Sequence, residues 1–277
     1  VITIRDLLLA DKSAVVYDIM DENVIFANTL TDREEVVSLF DKYDLYVLPV
    51  VDNENRLVGI ITVDDVIDVM QEEATEDIEM MAAILPSEKS YLKTGVFATF
   101  KARIPWLMFL MISATFTGAI ISSFEGKLSK WMALIAFIPM LMGTGGNSGS
   151  QSSVTVIRCL STGEIEFKDI WRVIWKELRV SIVCGVVLGI VNFVKLYLVD
   201  YLWLNNFDEG VHLIEMLVVS ITVVLVVIVA KLVGSVLPIV AKKLGADPAV
   251  MASPLVTTIL DAFSLLIYFS IATVLLM

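Results

Sequence analysis

Residues 139–158 read PMLMGTGGNSGSQSSVTVIR and lie inside an apolar run long enough to cross a membrane. Few folds can hold such a segment. Lipid cannot satisfy backbone or hydroxyl groups, so the stretch must be wrapped in protein or face water. On a helix, Asn147, Gln151 and Thr155 fall at i, i+4 and i+8 and share one face, with Thr144, Ser148 and Ser152 as a second row beside it. Pro139, Gly143, Gly145 and Gly146 let the helix bend or let a neighbouring backbone come close. The glycines alone would describe a helix-packing seam. The stripe of amide and hydroxyl groups favours a water-filled path.

The charge distribution divides the chain. Residues 1–100 hold 21 Asp/Glu against 7 Lys/Arg, a net of −14, whereas residues 101–277 carry a net of +2. With 57% hydrophobic residues overall, this describes an acidic soluble module followed by a membrane module. The acidic balance excludes nucleic acid as a partner and favours metal cations. Cys159 and Cys184 form neither a disulfide framework nor a zinc spacing. Val1 opens the chain in mid-domain without a methionine, which reads as a truncated chain.

The soluble part repeats itself. Ile2-Thr3-Ile4-Arg5-Asp6-Leu7-Leu8 returns as Ile61-Thr62-Val63-Asp64-Asp65-Val66-Ile67. Between them, Thr31 and Glu34 suggest a capping box for a helix through Tyr43. Leu45–Val51 and Arg56–Thr62 then read as two strands joined by a turn at 52–55. This order, with its ITVDD and LPVVD segments, resembles the CBS module. The resemblance implies the last strand of a first copy and the whole of a second. In such modules the aspartate after the threonine often touches the ribose of an adenine nucleotide; here that would be Asp6 or Asp65, with ATP the nucleotide expected.

From Val63 a helical pattern continues through Asp64, Asp65, Asp68, Glu72, Glu73, Glu76, Asp77 and Glu79, with no basic residue between Arg56 and Lys89. Like charges at i and i+4 oppose the helix by a few tenths of a kcal/mol per pair, roughly. A solvated face is the plain reading of such a run. Its density beside a membrane favours a regulatory site for a hard cation.

Five spans are expected: 104–123, 131–157, 180–204, 212–240 and 250–277. Each is long enough at ~1.5 Å per residue to cross a ~30 Å core. Pro105 suits the N-terminus of the first. Arg158, Lys168, Arg172, Lys176 and Arg179 follow the second, and Lys242 and Lys243 follow the fourth, while 200–210 has no basic residue. That asymmetry puts the soluble module in the cytoplasm and the C-terminus outside. The Trp residues at 106, 131, 171, 175 and 203 read as interface anchors, and His212 as a boundary residue without chemistry.

The last span carries one charge between Pro254 and Met277, Asp261. An ionisable group this deep normally marks a pathway or a buried partner. Ser253, Thr257 and Asp261 share one face. The competing reading pairs Asp261 with Lys231 or Lys195.

The acidic CBS segments, Glu73 to Asp77, the P-x-L-x-G-x-G-G-N-x-G-x-Q motif and D-P-A…P-L-V-T-T…D…L-L-I-Y-F together resemble the MgtE family of magnesium channels and transporters. The likeness covers nearly the whole chain. It implies an α-helical membrane protein of five transmembrane helices with a cytoplasmic α/β CBS module, working as a homodimer in the bilayer of the cell membrane. The segments would be 1–12 (end of a first CBS unit), 13–78 (second unit), 79–103 (connecting or plug helix) and 104–277 (pore domain). Spans two and five would line a pore on the twofold axis, with Asp261 holding hydrated Mg²⁺, Thr257 and Ser253 beside it, and Asn147 and Ser150 contributed by span two. Regulatory Mg²⁺ would bind at Glu34, Asp44, Asp65, Asp68, Glu73, Glu76 and Asp77. Relatives often carry asparagine where this chain has Ser150 and Ser253.

An intramembrane metalloprotease would need ligands such as H-E-x-x-H, and the single His212 does not supply them, so no enzyme is expected. A tethered ion or nucleotide sensor would leave the polar stripe and Asp261 unused. Within transport, the residues fit a channel and also an exchanger of divalent cations driven by Na⁺ or H⁺.

Overall fold

The structure, a computed structural model, describes residues 1–87, 90–128, 132–203 and 213–276. Two compact units divide it, Val1–Thr75 and Glu76–Met277. His212 and Trp131 lie outside the described residues.

In the first unit, α1 (Ile4–Leu9) and α2 (Val16–Ile19) precede β1 (Ala27–Asn28), α3 (Arg33–Tyr43), β2 (Val47–Val51), β3 (Leu57–Thr62) and α4 (Val63–Met81). The sheet order is β1-β2-β3, with β1 parallel to β2 and β2 antiparallel to β3. Leu48, Phe40, Ala27 and Val66 close its small core. The hairpin turn takes Asn55 through φ 58°, and the Asp52 carboxylate accepts from the Glu54 and Arg56 amides.

Two expectations shift here. The cap of α3 is Asp32, whose side chain accepts from the Glu34 amide; Thr31 instead accepts from the Asn28 amide. Both oxygens are competent caps, and the β1 turn claims the threonine. Residues 1–3 form no strand, and α1 starts at Ile4 behind a Thr3 cap. A strand needs a paired neighbour for its backbone groups; the Val1 carbonyl accepts from the Asp21 amide instead. The repeat is nonetheless real as a helix start: the Thr3 and Thr62 hydroxyls both donate to the aspartate three residues on.

The second unit holds α5 (Val96–Leu128), α6 (Ile138–Ser161), α7 (Ile170–Lys195), α8 (Leu213–Lys243) and α9 (Ser253–Leu276). Among the described residues, four helical stretches have the length and apolarity to cross a membrane: Val96–Phe124, Phe167–Val199, Leu213–Lys243 and Pro248–Leu276. The expected second span, α6, has 24 residues, about 36 Å of helix, and falls short on apolarity alone. Its glycines, serines and amides account for that.

Pro105 lies inside α5 rather than at its start. One helical hydrogen bond is lost there, and nine earlier residues already supply the first turns. Nor is 79–103 one helix where it is described. α4 ends at Met81, Ala83 takes φ 56°, a short turn of 3₁₀ helix covers Tyr91–Lys93, and α5 begins at Val96. The positive φ and Pro86 interrupt the helical ladder.

The core of this unit surrounds α8, whose Val218, Val219, Val223 and Val227 pack with Leu141, Leu265 and Phe269. Buried Tyr268 donates its hydroxyl to the Leu134 carbonyl at 2.8 Å. Small residues bring α6 against α8 and α9. A Cβ on Gly234 would overlap the Gly149 carbonyl, one on Gly149 would overlap Leu260, and one on Gly145 would stand 2.5 Å from the Ser264 hydroxyl. By contrast, nothing lies within 4 Å of a Cβ placed on Gly143.

Gly149→Val should therefore lower stability by about 2 kcal/mol or more, the scale of overpacking. Gly143→Ala should leave it unchanged or raise it by up to about 1 kcal/mol, the helix-propensity difference. Thermal unfolding of the detergent-solubilised protein checks both.

Candidate functional site

Along α6 one side remains uncovered: Pro139, Gly143, Asn147, Gln151, Thr155 and Arg158 are exposed at successive turns. Gly145, Gly146, Ser148, Gly149, Ser152 and Ser153 are buried between them. The expected polar face is present, and the second row turns inward. Thr144 donates to the Met140 carbonyl, Ser148 is buried, and the Ser152 hydroxyl donates to Glu177 Oε2 at 2.7 Å. Ser150 is half-buried at the edge of the stripe.

α9 crosses α6 at these glycines. A Cβ on Gly146 would lie 3.1 Å from Thr257 Cγ2, so Thr257 sits directly on the α6 backbone. The Thr257 hydroxyl donates to the Pro254 carbonyl at 3.0 Å, leaving its lone pairs available. Asp261, one turn on, is half-buried, and among the described residues its carboxylate makes no ion pair or hydrogen bond. Ser253 starts α9, and its side chain lies outside the described part. No three carboxylate, thiol or imidazole groups converge on one point among the described residues. One chain therefore offers a single carboxylate among hydroxyls and amides, and no closed cage.

Neither lysine considered for Asp261 makes an ion pair with it among the described residues. Lys231 is buried at 7% exposure, and its Nζ donates to Ser152 Oγ at 3.5 Å. Ser152 thus joins Lys231 of α8 to Glu177 of α7. Sequence reasoning missed Glu177, because its neighbours are basic and exposed; its spacing gives no sign that α6 lies behind it. Lys195 is exposed near the end of α7.

Residues 138–271 match the family model described as "MgtE: Divalent cation transporter", and residues 16–72 match that of the CBS domain. The chain is 42% identical over 276 residues to the Magnesium transporter MgtE of Thermus thermophilus, covering 100% of this chain and 59% of that protein. It is 41% identical over 273 residues to the Magnesium transporter MgtE of Bacillus subtilis, covering 99% and 58%. The chain carries an MgtE domain behind a CBS domain. It spans just under three fifths of the length of these relatives. A solved structure, the cytosolic domain of the Mg²⁺ channel MgtE in complex with ATP, is 54% identical over 24% of this chain and 27% of its own. Its TM-score of 0.24 is too low to bear on the fold.

In this chain the seven acidic positions expected to regulate are spread out. Glu34 lies in the first turn of α3, Asp44 closes that helix at φ 49°, and Asp65, Asp68, Glu73, Glu76 and Asp77 follow along α4. Arg33 reaches Glu72 at 3.4 Å, a basic offset from another helix that a local reading of the charge run does not contain. Asp65 lines a cleft of about 430 Å³ together with Asn28, Arg33 and Glu72. Asp6 is exposed on α1 and does not line that cleft.

The end of α4 makes the more telling contact. Met80 and Met81 pack on Ile157, Ala249 and Ala252, at the C-terminal end of α6 and just before α9. Beside them the Asp77 carboxyl is pushed above the ordinary aspartate range, first by burial, then by the charges of Asp247 and Glu76. A hydrogen bond with the Ser161 side chain opposes the shift. A raised carboxyl pKa means that the folded contact holds its proton more readily than the unfolded chain does. Stability therefore falls as pH climbs from the ordinary value of 3.8 through the raised one. Asp77→Asn should raise the thermal midpoint at pH 7 and leave it unchanged below pH 3.8, where both forms are neutral. Melting curves of the two proteins across that range check the sign.

Proposed function

We propose that two copies of this chain form a Mg²⁺-selective channel of the cell membrane, with the pore on the twofold axis and lined by α6 and α9. The observation that carries the reading is Asp261, a half-buried carboxylate without a partner among the described residues, beside the exposed polar stripe of an otherwise buried helix. Asn147 and Gln151 could not face hydrocarbon without cost. A second copy across a twofold axis would cover the stripe and enclose water. In this arrangement α6 counts as a fifth span, and the odd number of crossings takes the C-terminus to the outside.

Mg²⁺ surrenders its waters reluctantly and commonly keeps several. A site that passes it quickly binds the hydrated ion through few charges and many hydroxyls. Two copies of Asp261, with Thr257, Ser253, Asn147 and Ser150 around them, fit that need. A cage of carboxylates would hold the ion too long to conduct.

The acidic α4 supplies the control. Its end rests on the C-terminal end of α6 and the approach to α9 through Met80 and Met81, with Asp77 set against Asp247. Cytoplasmic Mg²⁺ bound at Glu34, Asp44, Asp65, Asp68, Glu73, Glu76 and Asp77 would relieve repulsion and favour the closed arrangement. A ligand shifts such an equilibrium by its preference for one state. ATP is the second ligand of this reading, at the cleft of Asp65 and Arg33.

Asp261→Asn should keep the fold and abolish selective Mg²⁺ permeation, while Thr257→Val should lower flux without abolishing it. Flux and current in liposomes test this, with Na⁺ and pH gradients imposed and then removed. Unaltered Mg²⁺ conductance in Asp261→Asn would overturn the pore assignment, and flux that needs a gradient would favour an exchanger. Replacing Glu73, Glu76 and Asp77 with alanine should shift the inhibitory Mg²⁺ concentration and leave ion selectivity as it was. Single-channel recording on inside-out patches reads that shift.

A further inference from the structure

The N-terminal third of α7 carries a feature that ion conduction does not use. Lys176, Arg179, Val180, Val183 and Cys184 line one groove of about 380 Å³, with the two cations at one end and an almost wholly apolar floor. These positions follow i, i+3, i+4, i+7 and i+8, so they form one continuous strip of the helix. The opposite side of α7 is turned inward, where Gly185 and Gly189 meet Val224 of α8. Lys176, Arg179, Val180 and Val183 are exposed, and Cys184 closes the strip at the edge of the core. Val183 is 65% exposed and Val187 54%.

Four of the basic groups at this end are engaged. Lys168 pairs with Glu166 at 2.8 Å and Arg172 with Asp169 at 3.0 Å. Lys242 donates to the Leu160 carbonyl, and Lys243 lies 3.7 Å from the centre of the Phe167 ring. Lys176 and Arg179, like exposed Arg158 of α6, make no ion pair among the described residues. The neighbouring carboxylate, Glu177, is held on the inner side by the Ser152 hydroxyl. Arg179 is steadied by Trp175, donating to its carbonyl at 3.3 Å, with the guanidinium carbon 5.7 Å from the ring centre. Trp175 and Trp171 are 59% and 77% exposed, as expected of side chains at headgroup depth.

We infer that this strip is a binding site for an anionic glycerophospholipid. The headgroup phosphate sits on Lys176 and Arg179, and one acyl chain runs along Val180, Val183 and Cys184. Basic residues flank membrane helices in general. Two cations without an ion pair at one end of an apolar groove favour one class of lipid, because a zwitterionic headgroup carries its own cation to the same place. The inference requires α7 to cross a bilayer and is independent of which ion passes. Lipid binding, read without flux, therefore fails or succeeds separately from the channel reading.

The test is tryptophan quenching of the full chain in bilayers containing brominated phosphatidylglycerol or brominated phosphatidylcholine. A Trp171→Phe, Trp175→Phe protein marks the signal from this end of α7. The expected result is a preference for phosphatidylglycerol on the order of tenfold at low salt, falling as salt is raised. Lys176→Gln with Arg179→Gln should bring the two lipids to parity, whereas Lys168→Gln with Arg172→Gln should keep the preference. Parity in the unaltered protein would overturn the proposal, and so would a preference that survives loss of Lys176 and Arg179. Quenching by neither lipid would put a second copy of the chain over the groove and overturn it equally.

Discussion

The close approach of α6 to α8 and α9 is the constraint on which the rest of the membrane unit depends. At Gly149 the backbone of α6 lies so near Gly234 and Leu260 that no side chain fits. Two neighbours at that distance cover most of the helix circumference and leave one stripe outside. The polar groups on that stripe are exposed because the small residues opposite them are buried. Without a seam of glycine and serine, Asn147 and Gln151 would turn with the helix axis into hydrocarbon or into the core, and neither could hydrate them.

A second polar layer reinforces the seam. One turn beyond Gly149, Ser152 links Glu177 on α7 to Lys231 on α8. Charges in such a place are tolerated only when each finds a partner, and breaking one member of a buried pair is far more costly than never having had it. The chain of contacts fixes the rotation of α6 about its own axis, and so the direction in which its polar stripe points. It also occupies Lys231, which makes no ion pair with Asp261 among the described residues.

The acidic helix works over a different length. From Asp64 to Glu79 its carboxylates extend over about 22 Å of helix, too far apart to surround one ion. At its end Met80 and Met81 pack on Ile157, Ala249 and Ala252, and Asp77 faces the charge of Asp247. The proposed channel would use two kinds of cation contact: a sparse site that passes a hydrated ion, and a distributed charge that senses its concentration.

Periodicity and composition alone determined the division into an acidic α/β module and a helical membrane unit, the β2–β3 hairpin, the polar face of α6 and Asp261 as the single charge of α9. These rest on local rules, the turn chemistry of Asp52 to Asn55 and the 3.6-residue repeat, which no distant contact has to complete. Only the tertiary structure decided that Ser148 and Ser152 turn inward while Asn147 and Gln151 stay outside, that Lys231 and Glu177 meet through Ser152, and that Arg33 reaches Glu72. The cap at Asp32 and the break after Met81 belong with these. In each case two local solutions are nearly equal in energy, and the choice falls to a neighbour far away in sequence. Serine and glycine leave room for a backbone to come close, but which backbone comes is settled by packing.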